Sequence, residues 1–255
     1  MSEICCRTIQ ISHENFNQLD ESSSDIKLFK IKLSSYYNLV PEFIKYLSTA
    51  ELERAQKYHF EKDSNQFIIC RTLLKFILAK YTNLNVSNID IKLDSNKKPY
   101  LNIKESVYFN VSHAENFAII TLSNKAIGID LEYLNRDFDF SEILSDIFNT
   151  LEIETVLNAE NKTQAFYNFW TRKESIVKAT GQGISDYLPL IPAIDGCHSV
   201  SSKLLNNFKN LQVLSFNLND HYVASLALST KTKNIGKLQI YNLPNSIEGL
   251  ESFSS

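Results

Sequence analysis

One feature limits the folds open to this chain more than any other: a β-rich segment is written twice. Phe109-Asn-Val-Ser-His-Ala-Glu-Asn-Phe-Ala-Ile-Ile-Thr-Leu-Ser123 resembles Phe216-Asn-Leu-Asn-Asp-His-Tyr-Val-Ala-Ser-Leu-Ala-Leu-Ser229, with one residue deleted. Upstream of each copy lies an apolar helical pattern, Gln66 to Lys80 in the first half and Ala165 to Ala179 in the second. A helix followed by a β-hairpin, repeated in units of about 120 residues, predicts an α+β fold of two similar α/β halves. Such halves face each other across a cleft, a basic helix (Arg71, Lys75) on one side and an acidic one (Glu174) on the other. The expected division is an N-terminal half over 1–124, a C-terminal half over 125–243 and a flexible tail over 244–255.

Read in order, residues 1–24 are polar, end in Glu-Ser-Ser-Ser, and read as a loosely held lead-in. Period-two alternation predicts a strand from Ile26 to Leu33. Ser48-Thr-Ala-Glu51 is a capping-box start for a helix carrying Arg54 and Lys57, and Asp63 or Ser64 caps a longer one to about Tyr81. Short strands at 89–93 and 107–111, a tight connection over 112–116, and strands at 117–123 and 127–133 follow. Helices at 144–158 and 162–180 precede three closing strands at 211–218, 222–229 and 237–243, and the last dozen residues read as frayed.

Composition excludes more than it selects. At 255 residues, 44% hydrophobic and 22% charged, the chain is an ordinary globular protein able to bury a sizeable core. A net charge of -3 gives no reason to expect nucleic-acid binding, and no apolar run is long enough to span a bilayer. No basic region followed by an apolar run opens the chain, so a secretory signal is not expected. Cys5, Cys6, Cys70 and Cys197 form no C-x-x-C pair and read as reduced thiols in a cytoplasmic protein.

The chemistry-bearing residues gather in three places. In Trp170-Thr-Arg-Lys-Glu-Ser-Ile-Val-Lys-Ala-Thr-Gly-Gln-Gly183, Glu174 and Lys178 share one helix face just before a glycine turn. That spacing also suits a plain surface ion pair, so the stretch alone leaves both readings open. Asp130 and Glu132, two apart in a strand, point to the same side. With Glu174 they make three hard oxygen ligands, a set suited to Mg²⁺ shared with a substrate's phosphates. Ser112 and His113 stand where a strand ends, able to meet a phosphoryl oxygen. Lys178, Arg54, Arg71 and Lys98 add cations for a polyphosphate. The chain has neither a Walker loop nor a dinucleotide glycine fingerprint.

These blocks carry a resemblance. Phe109-Asn-Val-Ser-His113, Ile127-Gly-Ile-Asp-Leu-Glu132 and Phe169-Trp-Thr-Arg-Lys-Glu-Ser-Ile-Val-Lys-Ala-Thr-Gly-Gln-Gly183 resemble, in order and separation, the signatures of the 4′-phosphopantetheinyl transferases. The last two correspond to that family's G-[IV]-D-x-E and W-x-x-K-E-[SA]-x-x-K. The similarity is to the larger, pseudo-dimeric kind that activates peptide and polyketide synthases, and it covers roughly residues 26 to 230.

The resemblance implies an enzyme that moves the phosphopantetheine arm of coenzyme A onto a serine of an apo carrier protein (peptidyl, polyketide or acyl), releasing adenosine 3′,5′-bisphosphate. By position it makes Asp130, Glu132 and Glu174 ligands of Mg²⁺, with Mn²⁺ the alternative ion. Arg54, Arg71, Lys98, Asn110, Ser112, His113 and Lys178 become the coenzyme A contacts, and Glu152, Glu174 and Lys178 the catalytic set. Glu152 is there as a base for the carrier serine, with Glu154 and a metal-bound hydroxide as alternatives. Because both halves lie in one chain, the resemblance implies a monomer that docks its carrier near the helix after Leu144 and the loop after Gly183. Two positions depart from the family pattern: Lys97 stands where Gly-Lys-Pro is usual, and Gln66 where many relatives have a cation. A binding protein without turnover and an unrelated Mg-dependent phosphotransferase are the competing readings.

Overall fold

Residues 1–18, 26–103, 107–183, 187–229 and 235–255 are described by the computed structural model. Strands β1 (Ser2–Thr8), β2 (Gln10–Asn15) and β3 (Ile26–Lys32) come first. Helices α1 (Val40–Phe43), α2 (Thr49–Gln56) and α3 (Glu61–Thr82) follow. Next are β4 (Ile91–Leu93), β5 (Pro99–Leu101), β6 (Tyr108–Ala114), β7 (Phe117–Ser123) and β8 (Ile127–Tyr133). Helices α4 (Leu144–Ile147), α5 (Thr150–Asn158) and α6 (Lys162–Thr180) lead to β9 (Gly196–Val200), β10 (Asn210–Asn219), β11 (Tyr222–Leu228) and β12 (Lys237–Asn242). Helix α7 (Ile247–Ser254) closes the chain.

The duplication is plain in this order. A strand, a long helix and a hairpin (β3, α3, β6–β7) recur as β8, α6 and β10–β11. Each set builds a five-stranded sheet, β2-β12-β3-β7-β6 in one half and β8-β11-β10-β1-β9 in the other. The sheets enclose a shared apolar core that includes Leu28, Ile119, Ile129, Leu131, Phe216 and Ile240. Helix α3 covers the outer face of the first sheet through Leu73, Phe76 and Ile77 with Phe29 and Ile120, and α6 covers the second through Ile176 with Ile4, Val213 and Ala227. The result is the expected α+β architecture in two similar halves.

The chain ends depart from expectation. Residues 2–8 are not a loose lead-in: β1 lies in the second sheet, parallel to β10 and antiparallel to β9. Strand β12 lies in the first sheet, parallel to both β2 and β3. Each half thus borrows a strand from the far end of the chain, so boundaries at 124 and 243 do not separate the two sheets. The polar end of that lead-in, residues 19–24, lies outside the described residues. Nor is 244–255 a flexible tail. Ser246 caps α7 by accepting from the Gly249 amide at 3.1 Å, and Leu250 and Phe253 are buried in the first core. The Phe253 ring meets Phe29 and Phe16, with centroids 6.0 Å away in each case. An apolar pair three residues apart was the signal for this docking.

Smaller differences have local causes. Helix α3 begins at Glu61, with Phe60 at its N-cap and no side-chain cap from Asp63 or Ser64. The helix expected over 144–158 breaks at Phe148, because Asn149 turns extended and caps α5 in a box with Glu152. Ser112, His113 and Ala114 belong to β6 rather than to the turn, which is confined to Glu115 and Asn116. Cys5 and Cys197, facing each other across β1 and β9, are disulfide-bonded, which corrects the expectation of four free thiols; Cys6 and Cys70 are free and buried. Among the described residues no helix is long and apolar enough to cross a membrane.

Candidate active site at the junction of the halves

The two sheets meet edge to edge, and that meeting creates the site. Strand β8 ends one sheet and β6 ends the other, so neither has a ladder partner on its outer side. Side chains of β6 supply the missing acceptors. Asn110 Oδ1 accepts from the Ile129 amide at 2.9 Å, and Ser112 Oγ from the Leu131 amide at 3.2 Å. Satisfying buried edge amides in this way fixes the register of one half against the other. Asn110, expected at coenzyme A, is therefore engaged with the β8 backbone.

Alternation along β8 then decides which side chains face what. Ile127, Ile129 and Leu131 enter the shared core, and Gly128, Asp130 and Glu132 face α6. Gly128 lets the helix come close: a Cβ there would stand 2.2 Å from the Ser175 carbonyl oxygen and 2.4 Å from the Ala179 nitrogen. This contact brings Lys178 Nζ to 2.6 Å from Asp130 Oδ1 and 3.1 Å from Ser112 Oγ. Ser112 in turn donates to Asp130 Oδ1 at 3.1 Å. Trp170, one turn earlier than Glu174, donates its indole N–H to Glu132 Oε1 at 3.1 Å.

Two carboxylate oxygens at this junction, Asp130 Oδ2 and Glu174 Oε1, are buried without a hydrogen-bond partner. Orphaned acceptors of this kind carry a penalty unless something positive or protonated meets them. The Glu132 carboxyl is pushed up to about 7 by burial first and the Asp130 charge second, with the Trp170 bond opposing. Glu174 is pushed up to about 7 by the same two causes in the same order. Asp130, Glu132 and Glu174 thus gather hard oxygen donors of the kind a divalent cation takes, although in this arrangement they do not bring one oxygen each within 4.8 Å of one another.

Beyond this cluster a cleft of about 230 Å³ opens on the first half, lined in part by Arg54, Gln66, Phe67, Arg71, Pro99 and His113. Arg54 and Arg71 both lie over the Phe67 ring, at 5.1 and 5.5 Å from its centroid. Glu51 of the α2 capping box steadies this corner, 3.6 Å from Arg71 Nε and 2.7 Å from Lys75 Nζ. Lys75 also donates to the Tyr46 carbonyl at 2.9 Å, so its ammonium is taken. Gln66 donates to the Glu115 carbonyl at 2.9 Å, bracing the β6–β7 turn. Burial, then the Lys178 charge, lowers the His113 pKa and favours a neutral imidazole.

Two further expected site residues are held elsewhere. Lys98 Nζ donates to the Lys178 and Ala179 carbonyls at 2.6 and 3.1 Å, at the end of α6, and its pKa is lowered by burial. Glu152 is fully buried: one oxygen lies 2.8 Å from Lys173 Nζ and accepts from the Asn149 amide, and the other accepts from the Ala193 amide at 2.7 Å. With both oxygens engaged and none exposed, Glu152 does not offer the accessible base that a carrier serine needs; Glu154 is exposed on the same helix. Lys173 also donates to the Leu188 and Ile191 carbonyls at 2.7 and 2.5 Å. Its neighbour Arg172 donates to the Ala193 carbonyl at 2.6 Å. These adjacent cations brace the segment 188–193 against α6. The sequence showed them only as part of a charged helix, and a Glu152–Lys173 pair 21 residues apart had no spacing signal.

The family model "4'-phosphopantetheinyl transferase superfamily" matches residues 126–230, and "4'-phosphopantetheinyl transferase, N-terminal" matches residues 38–125. The chain is 31% identical over 169 residues to 4'-phosphopantetheinyl transferase HetI of Nostoc sp., covering 64% of this chain and 71% of that protein. It is 26% identical over 150 residues to 4'-phosphopantetheinyl transferase Sfp of Bacillus subtilis, covering 58% and 65%. It is also 28% identical over 150 residues to the L-aminoadipate-semialdehyde dehydrogenase-phosphopantetheinyl transferase of Mus musculus, covering 52% and 48%.

Proposed function

Because this chain belongs to the 4′-phosphopantetheinyl transferase superfamily, we propose that its inter-half junction carries out a cation-dependent transfer from coenzyme A to an apo carrier protein. The observation that carries the cation is the pair of orphaned buried oxygens, Asp130 Oδ2 and Glu174 Oε1, beside Glu132. Asp130, Glu132 and Glu174 would hold Mg²⁺, which when bound offsets the pyrophosphate charge and the charge growing on the leaving bisphosphate. Lys178 is the nearest ammonium to those carboxylates, fixed by Asp130 and Ser112. In this reading it contributes a positive point charge to the pyrophosphate and gives a proton to the departing phosphate oxygen. Ser112 stays at the Lys178 ammonium, and the neutral His113 lines the adjoining cleft. Arg54 and Arg71, held over Phe67, suit the phosphate at the nucleotide end of coenzyme A.

In the overall step the carrier serine hydroxyl gives its proton to solvent water, and its oxygen bonds to the phosphorus that bears the pantetheine arm. The bond from that phosphorus to the bridging oxygen breaks, and adenosine 3′,5′-bisphosphate leaves. Both halves of the cleft lie in one chain, which supports a monomer as the acting species.

The test is intact mass spectrometry of purified apo carriers mixed with the protein, coenzyme A and Mg²⁺. One phosphopantetheine is gained on a carrier, the gain is abolished by EDTA, and Asp130→Asn and Glu174→Gln lose it. A gain that survives EDTA and both substitutions would refute the cation reading. No gain on any of the three carrier classes, with coenzyme A still bound in titration, would leave a binding protein instead.

A further inference from the structure

The end of α6 leaves a set of carbonyls that the helix itself cannot satisfy, and each has an identifiable donor. The Val177 carbonyl receives the Gly181 amide at 2.9 Å, with Gly181 in the left-handed region at φ 71°. The Thr180 carbonyl receives the Asn206 side-chain amide at 3.1 Å. The Gly181 carbonyl receives the Asn96 side-chain amide at 2.7 Å. The two that remain, those of Lys178 and Ala179, both receive Lys98 Nζ.

Asn96 and Lys98 belong to the other half, in the turn between β4 and β5. That turn is built to hold them. Asp94 Oδ1 accepts from the amides of Asn96 and Lys98 at 2.8 and 2.9 Å, and the Lys97 amide donates to the Asp94 carbonyl at 3.0 Å. Lys97 sits in the left-handed region at φ 64°, which completes the reversal. An ammonium at the negative end of a helix is in a favourable field, and here two of its three donors are fixed by carbonyls.

One of those carbonyls belongs to Lys178, whose own ammonium reaches back to Asp130 and Ser112. We infer that Lys98 is a positioning residue: with Asn96 it staples the last turn of α6 to the first half and so holds Lys178 in register with Asp130. This rests on the proposed transferase reading. It assigns Lys98 a role different from that of a phosphate ligand, because the ammonium is turned onto backbone carbonyls of the opposite half. A staple across the junction also couples the approach of the two halves to the position of the residue that faces the pyrophosphate.

The experiment compares Lys98→Met and Asn96→Ala with the wild type in steady-state transfer, and follows amide hydrogen exchange at the C-terminus of α6. Lys98→Met keeps the aliphatic stem and removes the ammonium; Asn96→Ala alters an exposed side chain and does not endanger folding. The expected result is a fall in kcat of about tenfold for Lys98→Met and a smaller fall for Asn96→Ala. KM for coenzyme A stays within about twofold, and exchange through residues 178–182 is faster in both. If Lys98 grips a phosphate instead, KM for coenzyme A rises about tenfold or more with kcat kept, and Asn96→Ala is silent; either observation overturns the inference. Unchanged exchange at 178–182 overturns it too. A wild type that transfers nothing would refute the transferase reading alone, and the exchange measurement would still decide the staple.

Discussion

Gly128 is the position at which one methyl group tests the whole junction. A Cβ at residue 128 would lie 2.2 Å from the Ser175 carbonyl oxygen, 2.4 Å from the Ala179 nitrogen and 2.9 Å from the Lys178 carbonyl carbon. Ordinary contact begins near 3.4 Å, so the shortfall at the first of these is about 1.2 Å. All three atoms are helix backbone, and no side-chain rotation relieves them. Gly128→Ala therefore forces α6 and β8 apart by about an ångström, an overpacking that costs roughly 3 kcal/mol. For a chain of this size that lowers Tm by about 6–12 °C. The same movement lengthens the 2.6 Å contact between Lys178 and Asp130 past hydrogen-bonding range and separates Glu174 from Glu132 and Asp130. A displacement of that size at a reacting centre costs about a hundredfold in rate. Thermal unfolding and the carrier mass-shift assay read the two effects, with Gly236→Ala as control because a Cβ there meets nothing within 4 Å. A Gly128→Ala protein that melts within about 2 °C of wild type and transfers at the full rate would refute the close-approach reasoning.

Three further predictions use independent features. Glu152→Gln or Lys173→Met alone leaves a buried charge uncompensated and costs about 3–5 kcal/mol in urea unfolding. The double variant costs less than the sum of the two, and strict additivity would refute the pairing. Lys97→Gly relieves a left-handed residue at φ 64° and raises stability by about 1 kcal/mol; a lower melting temperature would show that the turn needs the lysine side chain. Glu132 and Glu174 are protonated up to about 7 in the folded cation-free protein, against 4.5 as their ordinary value, so the folded state holds the extra protons. Their contribution to stability is therefore full below about pH 4.5 and is lost as pH rises through about 7, and Mg²⁺ restores it above that point. Melting curves from about pH 5 to pH 8, with and without Mg²⁺, check the sign; a cation-free curve identical to that of a Glu132→Gln/Glu174→Gln variant would contradict it.

What could be read in the sequence was whatever short-range periodicity encodes. The duplicated helix and hairpin, the bounds of α6, the shared face of Asp130 and Glu132, and the four-residue spacing of Glu174 and Lys178 all follow from repeats of 3.6 and 2.0 residues. Those repeats hold wherever the chain goes. The family signatures are legible for the same reason, being local runs of sequence.

Only the tertiary structure could decide which of the polar groups meet. The exchange of β1 and β12 between sheets, the docking of α7, and the Cys5–Cys197 bridge each join residues from opposite ends of the chain, where no periodicity reaches. The same holds for charge. In the sequence, Lys98, Lys75 and Arg71 all read simply as cations available to a phosphate. The fold gives Lys98 to the carbonyls of α6 and Lys75 to Glu51 and Tyr46, and sets Arg71 in the cleft. Glu152 differs from Glu174 in the same way: one is closed in by Lys173 and the Ala193 amide, and the other keeps a buried oxygen without a partner. A charged side chain's role is set by what its tip reaches, and a long flexible tip reaches what packing brings near.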